Sequence, residues 1–176
     1  MDNIRGAILM VIAMLGFAVE DTLIKLMATD IPSGQILMTI GLGGGLVFAT
    51  LALIKGEAPF GLWMLRGASG VRALCEGLAA LGFVTALALV PISLVTTIIQ
   101  ASPLLVTLGA AVFFKAPVGP RRWIAILIGL IGVLIVLRPF GDSFEAPALF
   151  AVGGVIAMSA RDLATRQVKQ NISTLQ

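Results

Sequence analysis

The stretch Gly6–Met27, GAILMVIAMLGFAVEDTLIKLM, decides the fold class of this chain. Its first two thirds carry no charge, and a helix of about 20 apolar residues spans the roughly 30 Å hydrocarbon core of a bilayer. Glu20, Asp21 and Lys25 then interrupt the apolar run. Each charge in a membrane helix costs about 2.5–3.5 kcal/mol on insertion scales, so these side chains require partners, water or a nearby membrane edge.

The composition of the chain requires an apolar surface. Of its 176 residues, 59% are hydrophobic and 12% are charged, whereas soluble domains have roughly 45–50% apolar and about 25% charged residues. A soluble globule has no interior large enough for this apolar share. We therefore expect an integral membrane protein.

Six stretches are long enough to cross a bilayer, and none shows the strict alternation of a barrel strand. They predict an all-α membrane protein, a multi-pass bundle of about six transmembrane helices. The fifth stretch is short, and we expect Arg138 to extend it by snorkelling. The predicted spans are Gly6–Met27, Gln35–Ile54, Val71–Val90, Leu94–Phe114, Trp123–Leu137 and Pro147–Val168.

The basic residues predict an orientation. With a cytoplasmic N-terminus, Lys25 lies in the membrane, Arg138 lies outside, and the remaining ten of the twelve basic residues face the cytoplasm. This asymmetry follows the positive-inside rule and predicts a cytoplasmic N-terminus. The net charge of +3 is explained by topology, so a lipid bilayer is the expected partner and nucleic acid is not.

The residue types that are missing limit the chemistry. The chain has no His, no Tyr and one Cys, which excludes a His-based triad, a Cys/His zinc site and a disulfide framework. We therefore predict that the protein is not an enzyme and that it has no catalytic residues, metal or cofactor.

Small residues recur one helical turn apart, as in helices whose backbones pack closely within a membrane. Such spacing predicts tight helix packing at Gly41 and Gly45, Ala73 and Gly77, and Ala125 and Gly129, assisted by Gly132, Gly153 and Gly154.

The charges of the first span have two interpretations. Asp21 and Lys25 are four residues apart and lie on one helix face, acid before base, as in a favourable ion pair. This pair would sit at the membrane edge, with Lys25 reaching the headgroups. Alternatively, Glu20 and Asp21 face a polar cavity that opens outward, where a carboxylate binds a proton or a cationic substrate group.

Charges also occur in the third and sixth spans. Arg72 and Glu76 are spaced as a second ion pair, which predicts helix anchoring at the cytoplasmic edge, with substrate contact as the alternative. Arg161 and Asp162 lie inside the sixth stretch. We expect the helix to be shortened there; otherwise the two groups line an inner vestibule.

The fourth span combines a proline with polar side chains. Pro103 removes a backbone hydrogen bond near the middle of the membrane, and Thr96, Thr97, Gln100 and Ser102 precede it within two turns. Broken helices at this depth commonly bind substrate in secondary transporters. A simple kink, repaired by the neighbouring hydroxyls, is the alternative.

Three segments carry a family resemblance: GFAVEDTLIKLM (Gly16–Met27), ALALVPISLVTTIIQASPLLVTLGAAVFF (Ala86–Phe114) and RRWIAILIGLIGVLIVLRP (Arg121–Pro139). With them, nearly the whole chain resembles the N-terminal half of an EamA-type member of the drug/metabolite transporter superfamily. The resemblance implies ten helices in two inverted five-helix repeats that move metabolites across the inner membrane by alternating access. Many members carry Gly-Glu after the fourth helix, where this chain has Lys115-Ala116, so no role of that glutamate is carried over.

The resemblance also predicts a division of the chain. Residues 1–140 correspond to one EamA-like repeat of five helices, and residues 141–176 to the sixth helix and the start of a truncated second repeat. We expect a partial transporter chain that pairs with a second repeat or another copy.

The leading functional prediction is a secondary transporter of small metabolites. The substrate-binding or coupling residues are predicted to be Glu20, Asp21, Lys25, Glu76, Thr96, Thr97, Gln100 and Ser102, with the helix break at Pro103. Two alternatives remain. One is a small dimeric multidrug exporter of dual topology. Dual insertion needs nearly balanced loop charges, and the ten basic residues on one side against one on the other argue against it. A non-transporting membrane scaffold subunit would need no acids within the bilayer.

Overall fold

The computed structural model describes residues 2–58, 60–61, 65–137 and 145–168, and these ranges contain helices and connecting turns without any strand. The helices are α1 (Asp2–Met27), α2 (Ser33–Ile54), α3 (Gly67–Leu89), α4 (Ile92–Ile99), α5 (Ser102–Phe114), α6 (Pro120–Leu137) and α7 (Ala148–Thr165). Because α4 and α5 follow one another within a single span, Ile92–Phe114, six helices are long and apolar enough to cross a membrane. The all-α, six-span prediction is therefore confirmed. The predicted snorkelling of Arg138 lies outside the described residues.

Several helices begin earlier than the apolar pattern predicts. Helix α3 starts at Gly67 and α6 at Pro120, so that Arg72, Arg121 and Arg122 belong to helices. Hydropathy marks the part of a helix that lies in hydrocarbon, whereas the hydrogen-bonded turns continue into the headgroup region.

Prolines mark the helix starts. Pro32 and Pro91 precede α2 and α4 in extended geometry, and Pro120 is the first residue of α6. Proline is favoured at these positions because it has no N–H and the first N–H groups of a helix have no intrahelical acceptor.

Residues in the left-handed region follow two helices. Gly56, with φ +72°, follows α2, and the Glu57 N–H returns to the Ala52 carbonyl at 2.9 Å. Lys115 follows α5 with φ 50°, and the Ala116 N–H returns to the Ala110 carbonyl at 3.2 Å. This conformation suits glycine and is unfavourable for lysine.

Helices α3 and α7 form the most extensive helix pair of the described residues. Their antiparallel arrangement places Gly82 against Gly154. A methyl group at Gly82 would lie 2.7 Å from the Phe150 carbonyl oxygen and 2.9 Å from the Gly154 Cα. The two backbones are therefore as close as small residues allow, which is how membrane helices gain van der Waals contact without a hydrophobic driving force.

The buried core surrounds the C-terminal half of α3. Leu87 and Val95 are fully buried, and Ile24 of α1, Ile36 of α2 and Val155 of α7 pack into the same cluster. Most other side chains of α1, α2 and α6 are exposed and apolar. Such a surface fits hydrocarbon, in agreement with an integral multi-pass membrane protein.

The predicted close contacts of small residues are realised only in part. Gly154 packs against α3, and Gly129 packs against the Leu104 side chain. In contrast, a methyl group placed on any of five other glycines would meet no atom of another element within 4 Å; these are Gly41, Gly45, Gly77, Gly132 and Gly153. The prediction is wrong for these glycines because their sides of α2, α3, α6 and α7 are not covered by another described helix.

Candidate functional site

The ammonium group of Lys25 contacts the end of a neighbouring helix. Its Nζ donates to the Val90 carbonyl at 2.9 Å and, more weakly, to the Ala88 carbonyl at 3.5 Å. The last carbonyls of a helix have no intrahelical partner and carry the negative end of the helix dipole, so a cation is stabilised there. Lys25 therefore ties the C-terminal end of α1 to the C-terminal end of α3.

The predicted ion pair between Asp21 and Lys25 is wrong. Neither Asp21 nor Glu20 forms an ion pair or a side-chain hydrogen bond within the described residues, and both are half-buried on α1. The physical reason is competition, because Lys25 reaches two carbonyl oxygens of α3 that need a donor. Both carboxylates remain open to a proton, water or a ligand.

A second group of charges joins α3 to α7. Arg161 Nη1 donates to both carboxylate oxygens of Glu76, at 3.0 and 3.2 Å. Its Nε donates to Asp162 Oδ1 at 2.9 Å, and its Nη2 lies 2.8 Å from the same oxygen. Two carboxylates thus share one guanidinium, and the formal charge of this cluster is negative. Glu76, Arg161 and Asp162 are called the charge cluster below.

Two predictions about these residues are wrong. Arg72 does not pair with Glu76; its Nε donates to Thr165 Oγ1 at 3.1 Å, because Arg161 already occupies the Glu76 carboxylate. The sixth span is also not shortened at Arg161, since α7 continues to Thr165. The charges are accommodated by partners across the helix pair, and the helix has no need to end before them.

The charge cluster lies within the spans α3 and α7. At 1.5 Å per residue, Glu76 is about 14 Å from the start of α3, whereas Arg161 is only about 6 Å from the end of α7. The side chains of Arg161, Asp162 and Glu76 are 24%, 41% and 47% exposed. Arg161 and Asp162 thus lie near the end of α7, and the exposed parts of all three side chains are accessible to water or to a further protein surface.

The fourth span bends without unwinding. Gln100 (φ −63°, ψ −11°) and Ala101 (φ −73°, ψ −13°) separate α4 from α5 but keep right-handed helical geometry. The Ala101 N–H bonds to Ile98 and the Leu104 N–H to Ala101, both at 3.0 Å. This is the tighter three-residue bonding of a 3₁₀ turn. Pro103 follows as the second residue of α5, so the geometry matches the kink alternative.

The polar side chains near residues 100 and 101 do not hydrogen-bond to one another, and each has its own surroundings among the described residues. The hydroxyls of Thr96 and Thr97 donate to the Ser93 carbonyl, at 3.2 and 2.7 Å. Gln100 is exposed. Ser102 is buried, and its Oγ lies 3.4 Å from Ser159 Oγ of α7.

The structure therefore distributes the predicted site residues over several depths. Lys25 lies near the C-terminal end of α1, Ser102 about 15 Å along the span that begins at Ile92, and Glu76 about 20 Å from the C-terminal end of α3. Ser159 was not predicted, although it stands three residues before Asp162 and so shares a polar side of the sixth span with it. Two described cavities, of about 430 Å³ beside α1 and about 360 Å³ at the start of α6, lie away from these groups.

Six apolar spans with charges held between them define an integral multi-pass membrane protein. The EamA-like transporter family matches residues 4–138, and the chain belongs to this family. The family resemblance seen in the sequence is therefore confirmed.

Three characterised relatives are similar over about half of this chain. A riboflavin transporter of Rhizobium johnstonii is 37% identical over 94 residues, which cover 52% of this chain and 31% of the relative. A riboflavin transporter of Vibrio cholerae is 32% identical over 84 residues, covering 48% and 28%. An S-adenosylmethionine uptake transporter of Rickettsia bellii is 24% identical over 91 residues, covering 51% and 31%. The chain thus matches less than a third of each relative's length. No solved structure matches it significantly.

Proposed function

We propose that this chain forms part of a secondary transporter that moves a small metabolite across the inner membrane by alternating access. Family membership supports the class of protein. The observation that carries the proposal is the charge cluster, because partly exposed Glu76, Arg161 and Asp162 within two apolar spans favour an aqueous or ligand-filled space beside them. A scaffold helix has no use for such groups.

We propose a polar path that passes the predicted residues at successive depths. Glu20, Asp21 and Lys25 lie nearest the outer side, followed by Thr96, Thr97 and Gln100, then Ser102, and finally Glu76. The Lys25 contact with α3 holds the outer ends of α1 and α3 together, so its release is a step that opens the path outward. Proton coupling falls to Glu20, Asp21 or Glu76, whose carboxylates can each take up a proton.

The substrate to test first is riboflavin, because two of the relatives are named for it. Its neutral hydroxylated chain and ring imide suit a site that presents both carboxylate acceptors and a guanidinium donor. S-adenosylmethionine is the second test compound. A second set of spans, from a second repeat or another copy, completes the path in this proposal.

The experiment is complementation with the protein expressed from its native reading frame. A riboflavin-requiring bacterium that lacks riboflavin uptake should grow on low riboflavin when it carries the wild-type gene. E76Q should abolish growth and uptake of labelled riboflavin at equal membrane abundance. D30N removes an acid from the loop between the first two spans and is the matched control, with uptake unchanged. If E76Q took up riboflavin as fast as the wild type, Glu76 would not be part of the path.

Two further variants address the other predictions. D21N tests the outer carboxylates in the same assay, and loss of uptake with normal insertion would support them. The scaffold alternative predicts that neutral substitution of Glu20, Asp21 and Glu76 leaves cell growth and complex assembly intact. The exporter alternative requires dual topology. In that case a membrane-impermeant reagent would label the N-terminus from either side of the membrane.

A further inference from the structure

We propose that the start of α6 is a binding site for an anionic phospholipid, whose phosphate contacts Arg121 and Arg122 and whose acyl chains lie along α6. The proposal is independent of the transported substrate. It begins with an open cavity of about 360 Å³ that is lined by Pro117, Gly119, Pro120, Arg121 and Arg122. Liquid water takes about 30 Å³ per molecule, so this space holds a small polar headgroup.

The two arginines have no protein counter-ion. Neither guanidinium forms an ion pair or a hydrogen bond in the described part of the chain, and both side chains are exposed. The sequence from Phe114 to Leu137 contains no Asp or Glu and a third cation at Lys115. Guanidinium groups bind phosphate through paired N–H donors, which makes a phosphate oxygen the fitting partner.

The attraction comes from the side chains and not from the helix terminus. The N–H groups of Arg122 and Trp123 already donate to the Gly119 carbonyl, at 3.0 and 3.3 Å. Pro120, the first residue of α6, has no N–H to offer. Pro117 and Pro120 also restrict the backbone dihedral angles on either side of Gly119.

Two features favour a lipid over a free phosphate ion. Trp123 is 40% exposed one residue inside the arginines, and tryptophan is enriched at the level of the headgroups. Further along α6, Ile124, Leu127, Ile128 and Ile131 are all more than half exposed. A charged cavity that continues directly into an exposed apolar surface matches the two parts of one phospholipid.

Purified full-length chain in detergent tests the proposal. Phosphatidylglycerol should bind and raise the melting temperature, whereas phosphatidylcholine should not. Glycerol phosphate and inorganic phosphate, at the same concentration, should have no effect. The double variant R121Q/R122Q should bind phosphatidylglycerol roughly thirty-fold more weakly, at about fivefold per basic residue near an anionic surface.

The matched control is K55Q/R66Q, which removes two exposed cations at the same end of the bundle but outside the cavity. Its affinity should stay within about threefold of wild type. Equal weakening by both double variants would overturn the site, because it would show that only total charge matters. Stabilisation by soluble phosphate would assign the cavity to a free anion and refute the lipid.

A second measurement does not depend on variants folding. A photoactivatable phosphatidylglycerol, cross-linked to the unmodified protein, should label peptides that contain residues 113–131. Labelling spread evenly over all spans, or concentrated on α1 and α2, would contradict the proposal.

Discussion

Substitution of Gly82 by alanine should weaken the contact between α3 and α7. The new methyl group would lie 2.7 Å from the Phe150 carbonyl oxygen, where ordinary contact begins near 3.4 Å. Both obstructing groups are backbone, so the helices must separate by about 0.7 Å. Overpacking of this kind costs about 1–3 kcal/mol. The measurement is the free energy of unfolding in bicelles, titrated with a denaturing detergent.

Gly153→Ala supplies the matched control, because a methyl group at Gly153 meets no atom within 4 Å. Both substitutions gain the same helix propensity, about 1 kcal/mol at most. Their difference of about 1–3 kcal/mol therefore isolates the clash. G154A, where the nearest atoms would be at 3.2 and 3.3 Å, should fall between them. Equal stability of G82A and G153A would refute the close contact of α3 with α7.

Three further outcomes are expected. A double-mutant cycle of E76Q and R161Q should give a coupling free energy of about 1 kcal/mol, since interhelical polar contacts in membranes average about 0.6 and reach about 1.7 kcal/mol; zero coupling in the unfolding titration would show that the pair does not form. K25M removes the charged hydrogen bond to the end of α3 and should lower the free energy of unfolding by about 1–3 kcal/mol. Its control, K55M at an exposed position, should change the free energy of unfolding by under about 0.5 kcal/mol. K115G should raise the free energy of unfolding by about 0.5–1 kcal/mol, because glycine accepts the positive φ without steric cost; lower thermal stability of K115G would contradict the left-handed geometry.

The fold class follows from composition because the solvent dictates it. The bilayer core contains no water to bond with the backbone, so a run of about 20 apolar residues must form a helix that satisfies its own hydrogen bonds. Prolines at positions 32, 91, 120 and 147 also mark the boundaries within a few residues. The sequence does not predict which helices contact each other, because hydropathy is similar on all sides of a lipid-exposed span. The Gly41–Gly45 spacing resembles a packing motif, yet the tight contact occurs at Gly82 and Gly154.

The site was predictable at the level of residue type. Charges in an oily span need partners, and this argument identifies Glu76, Lys25 and Arg161 as unusual. Their partners were not predictable from local spacing. The i, i+4 rule pairs Asp21 with Lys25 and Arg72 with Glu76, but Lys25 contacts α3 carbonyls and Glu76 contacts Arg161. Partners from distant helices compete for the same groups, and only the tertiary arrangement decides between them.

The pairing of α3 with α7 has a consequence for assembly during synthesis. Glu76 and Arg161 are separated by 85 positions in the sequence, so the contact waits until the last described helix leaves the ribosome. Until then, Glu76 lacks Arg161 and the Gly82 side of α3 lacks its neighbour α7. Long-range contacts of this kind form late and slowly. A nascent chain that ends before Ala148 should therefore be recognised as unassembled by membrane quality-control proteases.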